Sequence, residues 1–188
     1  EKEGVTGKVV FGVVGDSTFF HSGMTGAAEI VYNKGRMIPC VLDNRITGMT
    51  GHQDNPGTGY TLQGDPTALL SVEKILTALG FAPVLTVDPQ DLKAMKAAVD
   101  QAVAALDAGQ QPAIVTRRPC LLIKRDKFRK GMCRVNADKC RSCRSCLKVG
   151  CPAISLENGK AVIDRTQCVG CTVCAQVCPF DAIEKEEK

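Results

Sequence analysis

The sequence predicts an α/β domain, in which helices flank a parallel β-sheet, followed by a small α+β domain built around cysteines. Strand-like and helix-like segments alternate up to about Pro119, which is the pattern of a parallel sheet with helices on its faces. Eight of the eleven cysteines then fall in two tight groups beyond residue 133. We therefore expect residues 1–119 to form the α/β domain, 120–132 a basic linker and 133–188 the cysteine-rich domain.

Two strands and a helix are predicted in the first part of the α/β domain. Residues 8–14 are a valine-rich run that ends at Gly15, and residues 37–42 form a second buried strand. The small apolar residues of 23–32 suit a helix that Gly35 can end. Because the chain begins at Glu1 without a methionine and enters a strand almost at once, we expect it to be truncated at its N-terminus.

The rest of this domain is predicted to contain two helices and two strands. One helix starts at Asp65 and Pro66, carries apolar residues at helical spacing and ends at Gly80. The other, 91–108, has one apolar stripe, and residues 84–87 and 113–116 are strands. Sheets of this kind bind ligands beyond the carboxyl ends of their strands, so we expect a site at that edge.

A basic segment separates the two domains. Residues 117–132 contain seven Lys or Arg and one Asp, with little periodicity. The simpler interpretation is a solvated linker. The alternative is a docking strip for an acidic electron-carrier protein, since opposite charges speed encounter.

Composition argues against two classes of partner. No apolar run approaches the roughly 20 residues of a membrane helix, and no charged start followed by an apolar stretch marks a signal peptide. The net charge is only +4 and aromatic residues make up 4% of the chain. We therefore expect neither a membrane nor a nucleic-acid partner.

The cysteines form an internal repeat in which a proline follows the last cysteine of each run. Three thiolates at this close spacing wrap one face of a [4Fe-4S] cluster, and in two-cluster ferredoxins the last cysteine of each run serves the other cluster. The expected ligand sets are Cys140, Cys143, Cys146 and Cys178 for the first cluster, and Cys168, Cys171, Cys174 and Cys151 for the second.

Structural zinc and disulfides are the alternatives for these cysteines. Zinc sites usually pair Cys-x2-Cys motifs across a longer loop, and disulfides do not persist in the cytosol. The first run has four residues before Cys151, where the usual run has three, which alters the loop without requiring loss of the ligand. Cys40, Cys120 and Cys133 have no partner at ligand spacing, and we interpret them as ordinary buried thiols. Because oxygen degrades exposed clusters, we expect the cytoplasm of an anaerobic or microaerobic cell.

Polar residues follow the first two predicted strands. Gly15-Asp16 lies at the end of the first, and Asp43-Asn44 lies at the end of the next. A carboxylate and an amide oxygen at neighbouring strand ends can share one Mg²⁺, and a helix N-terminus between them offers N–H groups to a diphosphate. An aspartate after a strand is common in α/β proteins, but the glycine-rich loop 48–53 strengthens this interpretation.

These segments resemble a known family. The span from Gly15-Asp16-Ser17 to Asn44 is similar to the thiamine diphosphate motif that begins Gly-Asp-Gly and ends in Asn, with Ser17 in place of the second glycine. The strings GDSTFFHSG and LDNRITGMTGHQDNPGTG, followed by a two-cluster ferredoxin tail, resemble the alpha subunits of the indolepyruvate ferredoxin oxidoreductases. These belong to the thiamine-diphosphate-dependent 2-oxoacid:ferredoxin oxidoreductase family.

The resemblance implies a set of cofactor ligands. Mg²⁺ would be bound by Asp16, Asn44 and the carbonyl of Ile46. The diphosphate would be lined by Gly15, Ser17 and Thr18.

The two histidines are candidate catalytic residues. His52 and His21 are the only histidines, and both are predicted in loops near the cofactor, where they would donate to a substrate carboxylate or an oxyanion. The alternative is a loop histidine bonded to a backbone carbonyl.

The resemblance also implies an activity and its partners. An aryl 2-oxoacid would be decarboxylated oxidatively to an acyl-coenzyme A, with electrons passing through the two clusters to ferredoxin. A second (beta) subunit is expected, and a pyrimidine-binding domain that supplies an activating glutamate is missing, so we expect the chain alone to be inactive. One alternative is a ferredoxin-type electron carrier whose α/β domain is a docking platform without cofactor. The other is the same chemistry on pyruvate or another small 2-oxoacid.

Overall fold

The structure is a computed structural model that describes residues 8–123 and 131–186. The chain separates into two compact units, Glu1–Asp126 and Lys127–Lys188. Within the described ranges, no helix has the length and apolar character needed to span a membrane.

The first unit contains a four-stranded parallel sheet, as the alternation of elements predicts. Its strands are β1 (Val10–Gly15), β2 (Met37–Asp43), β3 (Val84–Val87) and β4 (Ala113–Arg117), in the order β1-β2-β4-β3. Gly15 at the end of β1 lies opposite Leu42 near the end of β2. The polar residues that follow these two strands are therefore placed at the same edge of the sheet.

Helices cover both faces of this sheet. Val41 and Val115 pack with Val72 and Leu76 of α3 (Val72–Leu79) and with residues of the first helical segment. On the other face, Ile38 and Ile114 pack with residues of α4 (Leu92–Asp107). Because side chains alternate along a strand, neighbouring residues of β2 contribute to the two different cores.

The first helical segment begins at once after β1. It consists of α1 (Asp16–Thr18), a π-helical turn (Phe19–Gly23) and α2 (Met24–Tyr32). The prediction that the helix begins at residue 23 was therefore wrong by about two turns. Gly15, in an extended conformation, is the N-cap, and buried Phe19 and Phe20 attach the segment to the core.

Helix α3 begins later than predicted. Asp65 and Pro66 do not start it, because Pro66 is bridged to Tyr60 and the Thr67 amide donates to the Gly59 carbonyl at 2.9 Å. The N-cap is Ser71, and the helix ends at Gly80 in the left-handed conformation, as predicted. Helix α4 begins after Asp91, whose carboxylate accepts from the Ala94 amide at 2.9 Å.

The second unit is built from two antiparallel strand pairs. β5 (Met132–Val135) pairs with β8 (Ile183–Glu186), and β6 (Ile154–Glu157) pairs with β7 (Lys160–Ile163). A 3₁₀ turn (Ser145–Val149) and the short helix α5 (Val173–Gln176) carry part of the two cysteine runs. This is the small α+β cysteine-rich domain that the repeat predicts.

Part of the predicted basic linker has regular structure. Arg117 ends β4 and is paired with Asp43 and Glu73, and Arg118 is paired with Asp88. Met132 already belongs to β5. These two arginines are thus neutralised within the first unit, and residues 124–130 of the strip lie outside the described residues.

Candidate functional site

Asp16 is a buried carboxylate at the carboxyl end of β1, with 2% of its surface exposed. Its Oδ1 accepts from the Ser17 amide at 2.8 Å, and its Oδ2 accepts from the Asn55 side-chain amide at 3.3 Å. Burial raises the pKa of Asp16 despite these hydrogen bonds, and the nearby charge of Asp43 raises it further. The ion pairs of the described residues involve other carboxylates. Asp16 is thus a buried carboxylate whose hydrogen-bond partners are neutral donors, and a bound cation would stabilise its ionised form.

The Asn44 segment lies beside Asp16 because β1 and β2 are neighbours. Asn44 Oδ1 accepts from the Ile46 amide at 3.1 Å, which fixes the turn that follows β2. The backbone N–H of Arg45 donates to Asp43 Oδ1 at 3.3 Å and also partly offsets the rise in the pKa of Asp16, so the turn lies near both carboxylates. Ile46 is buried, and Arg45 holds a positive φ of 61°. Asp16 and the backbone of this turn thus lie at the same edge of the sheet.

A second loop segment closes this site, and the sequence interpretation missed it. Asn55 is buried, and its side-chain amide donates to Asp16 and, at 3.5 Å, to the Thr47 hydroxyl. The Thr47 hydroxyl in turn donates to the Ser17 hydroxyl at 2.9 Å. The asparagine lies 39 positions from Asp16, in a loop without periodicity. The only sequence signal for it is that it belongs to a polar, glycine-rich string.

Gly57 explains why this loop packs so closely on the first helical segment. A Cβ at Gly57 would lie 2.8 Å from the Phe20 ring and 3.2 Å from Asn55 Oδ1. The Gly57 amide donates to that same oxygen at 2.8 Å. A larger residue would therefore force the Phe20 ring or the Asn55 side chain to move.

The two histidines differ from their predicted setting. His21 was expected in a loop, but it lies in the π-helical turn Phe19–Gly23 and is exposed. His52 is in the loop after β2, exposed, with a positive φ of 64°. Both remain candidates only by their position near the Asp16 end of the sheet.

Four cysteines of the second unit line one cavity. Cys140, Cys143 and Cys146 of the first run lie around it together with Cys178 of the second run. The cavity has about 360 Å³ of unfilled space, including the part open to solvent. These are the four residues that the exchanged-ligand pattern assigns to the first cluster. A cavity lined by four thiols from both runs fits a [4Fe-4S] cluster.

A second group of thiols surrounds Cys174. Burial and the neighbouring sulfurs of Cys133, Cys171 and Cys168 raise the pKa of Cys174 to about 12. Four sulfurs packed together without a positive charge are expected to disfavour the free thiolate. Cys151, the predicted fourth ligand, is half-buried in the same core.

Cys133 was interpreted as an ordinary buried thiol, but it lies in this second group. Its backbone amide donates to Cys168 Sγ at 3.3 Å. Cys40 is buried within β2, where burial raises the pKa of its thiol, and Cys120 is half-buried in the first unit. All eleven cysteines are free thiols in the structure.

No single-ion metal site of three or more His, Cys, Asp or Glu residues occurs within 8–123 and 131–186. The ligand sets considered above are of other kinds. In a [4Fe-4S] cluster each thiolate binds a different iron, and the set around Asp16 contains one carboxylate with amide and carbonyl oxygens.

Comparison with known protein families assigns both regions. Residues 3–116 match the family described as thiamine pyrophosphate enzyme, C-terminal TPP binding domain. Residues 161–184 match the family described as 4Fe-4S binding domain. The first match includes Asp16 and Asn44, and the second includes the second cysteine run.

Curated relatives match nearly the whole chain in sequence. The chain is 41% identical over 98% of its length to indolepyruvate oxidoreductase subunit IorA of Pyrococcus abyssi. It is 41% identical over 97% to the subunit of that name from Thermococcus kodakarensis, and 36% identical over 97% to that from Methanothermobacter marburgensis. In each case it spans 29% of the length of the relative. The chain is thus homologous to a portion of that subunit.

Proposed function

The chain belongs to the thiamine pyrophosphate enzymes that carry the C-terminal TPP binding domain, and on that premise we propose that it is the cofactor-binding and electron-exit part of an oxidoreductase. The enzyme would act on aryl 2-oxoacids, with indolepyruvate as substrate. The acyl group would go to coenzyme A with release of CO₂, and two electrons would leave one at a time to ferredoxin. One observation carries the proposal: a thiamine-binding domain and an iron–sulfur domain occur in the same chain. An oxidation that releases two electrons to a one-electron acceptor needs such intermediate carriers.

We infer that Asp16, Asn44 and the carbonyl of Ile46 would hold Mg²⁺. The ion is hard and takes oxygen ligands, and it usually bridges to phosphate oxygens. Asp16 is buried in a site of neutral donors, and its hydrogen bonds keep both carboxylate oxygens in fixed positions. Asn44 Oδ1 has a second lone pair besides the one that accepts from Ile46.

Gly15, Ser17 and Thr18 would line the diphosphate. A Cβ at Gly15 would meet no atom within 4 Å, so internal packing does not require glycine there. Close approach of a diphosphate to the backbone supplies a reason. Ser17 and Thr18 are in the first turn of the helical segment, whose N-terminus favours anions.

Bound thiamine diphosphate would supply the nucleophilic carbon for decarboxylation. The protein's residues would position and polarise the substrate. His52 would donate a hydrogen bond to the carboxylate or oxyanion of the substrate, with His21 as the second candidate. Both are exposed, as a group that meets an incoming substrate must be.

The second unit would hold two [4Fe-4S] clusters. The cavity lined by Cys140, Cys143, Cys146 and Cys178 supports the first ligand set. The group around Cys174, with Cys168 and Cys171, supports the second, to which Cys151 would add the fourth thiolate.

Further components would complete the enzyme. A pyrimidine-binding domain would supply the glutamate that activates the aminopyrimidine ring, and a second subunit would complete the complex. Ferredoxin would collect the electrons. The site on this chain provides the Mg²⁺ and diphosphate half of the cofactor contacts.

The test is the substitution Asp16→Asn in the assembled enzyme. We expect it to abolish thiamine diphosphate binding measured by calorimetry in the presence of Mg²⁺, because the amide removes the only negatively charged ligand of the set. Iron should stay at about eight per chain, the content of two clusters. Asp65→Asn, at an exposed position of the same unit, is the control and should bind like the unsubstituted protein.

Two results would contradict the proposal. If the unsubstituted complex does not bind thiamine diphosphate, the α/β domain is a docking platform and the chain is an electron carrier. If the complex oxidises pyruvate with a higher kcat/KM than indolepyruvate, the chemistry stands but the aryl substrate is wrong.

A further inference from the structure

The two halves of the cysteine domain share a local geometry. Cys133 in β5 and Ala161 in β7 occupy equivalent positions, each seven residues before the first cysteine of a run. The Cys133 amide donates to Cys168 Sγ at 3.3 Å, and the Ala161 amide forms the corresponding hydrogen bond to Cys140. The repeat therefore places one backbone N–H on the leading sulfur of each predicted ligand set.

The side chains at these two positions differ. Ala161 presents a methyl group to the first site, with 6% of its surface exposed. Cys133 presents a thiol to the second site, with 2% exposed. The Cys133 sulfur lies among those of Cys168 and Cys174. The second site thus contains a fifth sulfur that the first site lacks.

Cys133 is not needed to complete a ligand set. The two runs already supply eight cysteines in the two-cluster pattern, four for each cluster. A cysteine that binds no iron keeps its proton at neutral pH, because a free thiol has a pKa of about 8.5. A protonated thiol next to a ligating sulfur is a hydrogen-bond donor rather than a ligand.

We propose that Cys133 is a positioning residue that donates its S–H to the sulfur of Cys168 and thereby raises the reduction potential of the second cluster. The inference rests on the proposed function, in that a cluster must be held by Cys168, Cys171 and Cys174. Reduction adds one electron to the cluster, and part of that charge falls on the thiolate sulfurs. A donor to one of these sulfurs stabilises the reduced form more than the oxidised form, and hydrogen bonds to the sulfurs are among the factors that set cluster potentials. The thiol itself is neither oxidised nor deprotonated.

The experiment is an EPR-monitored redox titration of the full chain, purified without oxygen. Cys133→Ala gives the second site the side chain that the first site has naturally. We expect it to keep about eight irons per chain while one of two midpoint potentials falls. The ratio of reduced to oxidised second cluster at a fixed potential should fall roughly three- to tenfold, the scale of one net hydrogen bond. A tenfold change corresponds to about 59 mV for one electron.

Three further variants separate a hydrogen bond from a packing effect. Cys133→Ser keeps a donor and should return the potential toward that of the unsubstituted protein. Ala161→Cys adds the missing thiol to the first site and should raise the other midpoint. Cys120→Ala removes a half-buried thiol in the first unit and should change neither potential.

Two outcomes would overturn the inference. One is a full iron content with both midpoints unchanged in Cys133→Ala. The other is loss of about four irons in both Cys133→Ala and Cys133→Ser, which would make Cys133 a ligand. An iron content near four in the unsubstituted chain would refute the two-cluster proposal instead, so the two failures are distinguishable.

Discussion

Asn55 joins the two loops of the candidate cofactor site with a single side chain. Its amide nitrogen donates to the Asp16 carboxylate, and its amide oxygen accepts from the Gly57 backbone at 2.8 Å. Because Asn55 is buried, loss of its side chain leaves the Gly57 amide and one Asp16 oxygen without these partners. The residue is thus a positioning group for the predicted Mg²⁺ ligand.

We expect Asn55→Ala to lower the free energy of unfolding by about 1–3 kcal/mol, the cost of leaving buried polar groups unpaired. It should also weaken thiamine diphosphate binding, because Asp16 loses the donor that orients it. Thermal unfolding and calorimetric titration measure the two effects. The exposed Asn33→Ala on the same unit should change binding little; equal loss in both variants would contradict a specific role for Asn55.

The sequence predicted some residues of this site and missed others for a physical reason. Asp16 and Asn44 follow strands that are easy to recognise, and parallel strands bring their carboxyl ends to one edge. Asn55 and Thr47 reach Asp16 and Ser17 only through the path of an irregular loop. Nothing in the spacing of residues encodes that path.

At the scale of elements, helix α3 is tied to the sheet by an ion-pair network at its first turn. Ser71 caps the helix and also donates to Glu73 Oε2 at 2.7 Å. Arg117 at the end of β4 bridges Glu73 and the buried Asp43, to which it donates at 2.7 Å. Because Asp43 immediately precedes Asn44, the network also fixes the end of β2 beside the candidate site.

Glu73→Gln tests this network through its pH dependence. Burial by itself would raise the pKa of Glu73, but the hydrogen bond from Ser71, that of its own backbone and the charge of Arg117 outweigh it and lower the pKa below 4.5. The stabilisation is therefore present above pH 4.5 and is lost as pH falls through the folded-state value. We expect the variant to be less stable by about 1 kcal/mol at pH 7, with a smaller difference near pH 4.

Thermal unfolding at the two pH values measures this difference. Glu29→Gln, on the exposed side of α2, removes the same charge and should show no such change. A difference that is independent of pH would show that Glu73 acts by packing and not by its charge.

The limits of some helices and strands were predicted more accurately than those of others. Helix α4 and the strands carry clear apolar patterns, and their predicted limits agree with the structure to within two residues. The starts of α1 and α3 were missed because local hydrogen bonds decide them. Gly15 caps a helix whose first turns contain Thr, Phe and Ser, while the amides of Thr67 and Leu70 are bonded to the preceding loop.

At the scale of the whole molecule, the chain combines a parallel sheet and a duplicated cysteine module in two separate units. The order of the cysteines predicted that the last one of the second run would join the first set. Cys178 does line the cavity with Cys140, Cys143 and Cys146. The parallel sheet of the first unit also followed from the sequence, whereas the position of Cys133 did not, because it lies outside both runs.

Cys178→Ala tests the exchange of ligands between the runs. We expect iron to fall from about eight to about four per chain, because the first cluster loses a ligand while the second keeps all four. The remaining EPR signal should be that of the second cluster, so adding Cys133→Ala should shift its midpoint. The contrary outcome is that Cys133→Ala shifts a midpoint in the otherwise unsubstituted chain and yet leaves the signal of Cys178→Ala unchanged. In that case the surviving cluster is the first one and the exchange is wrong.

Cys178 belongs to the later copy of the repeat, yet it faces the sulfurs of the earlier copy. Duplicated segments of a gene are ordinarily free to diverge, and one of them can be deleted at little cost. Here each copy would supply its last cysteine as a ligand to the cluster of the other copy. Deleting either copy would therefore remove a ligand from both clusters. Because of this mutual dependence, the two copies would be retained or lost together.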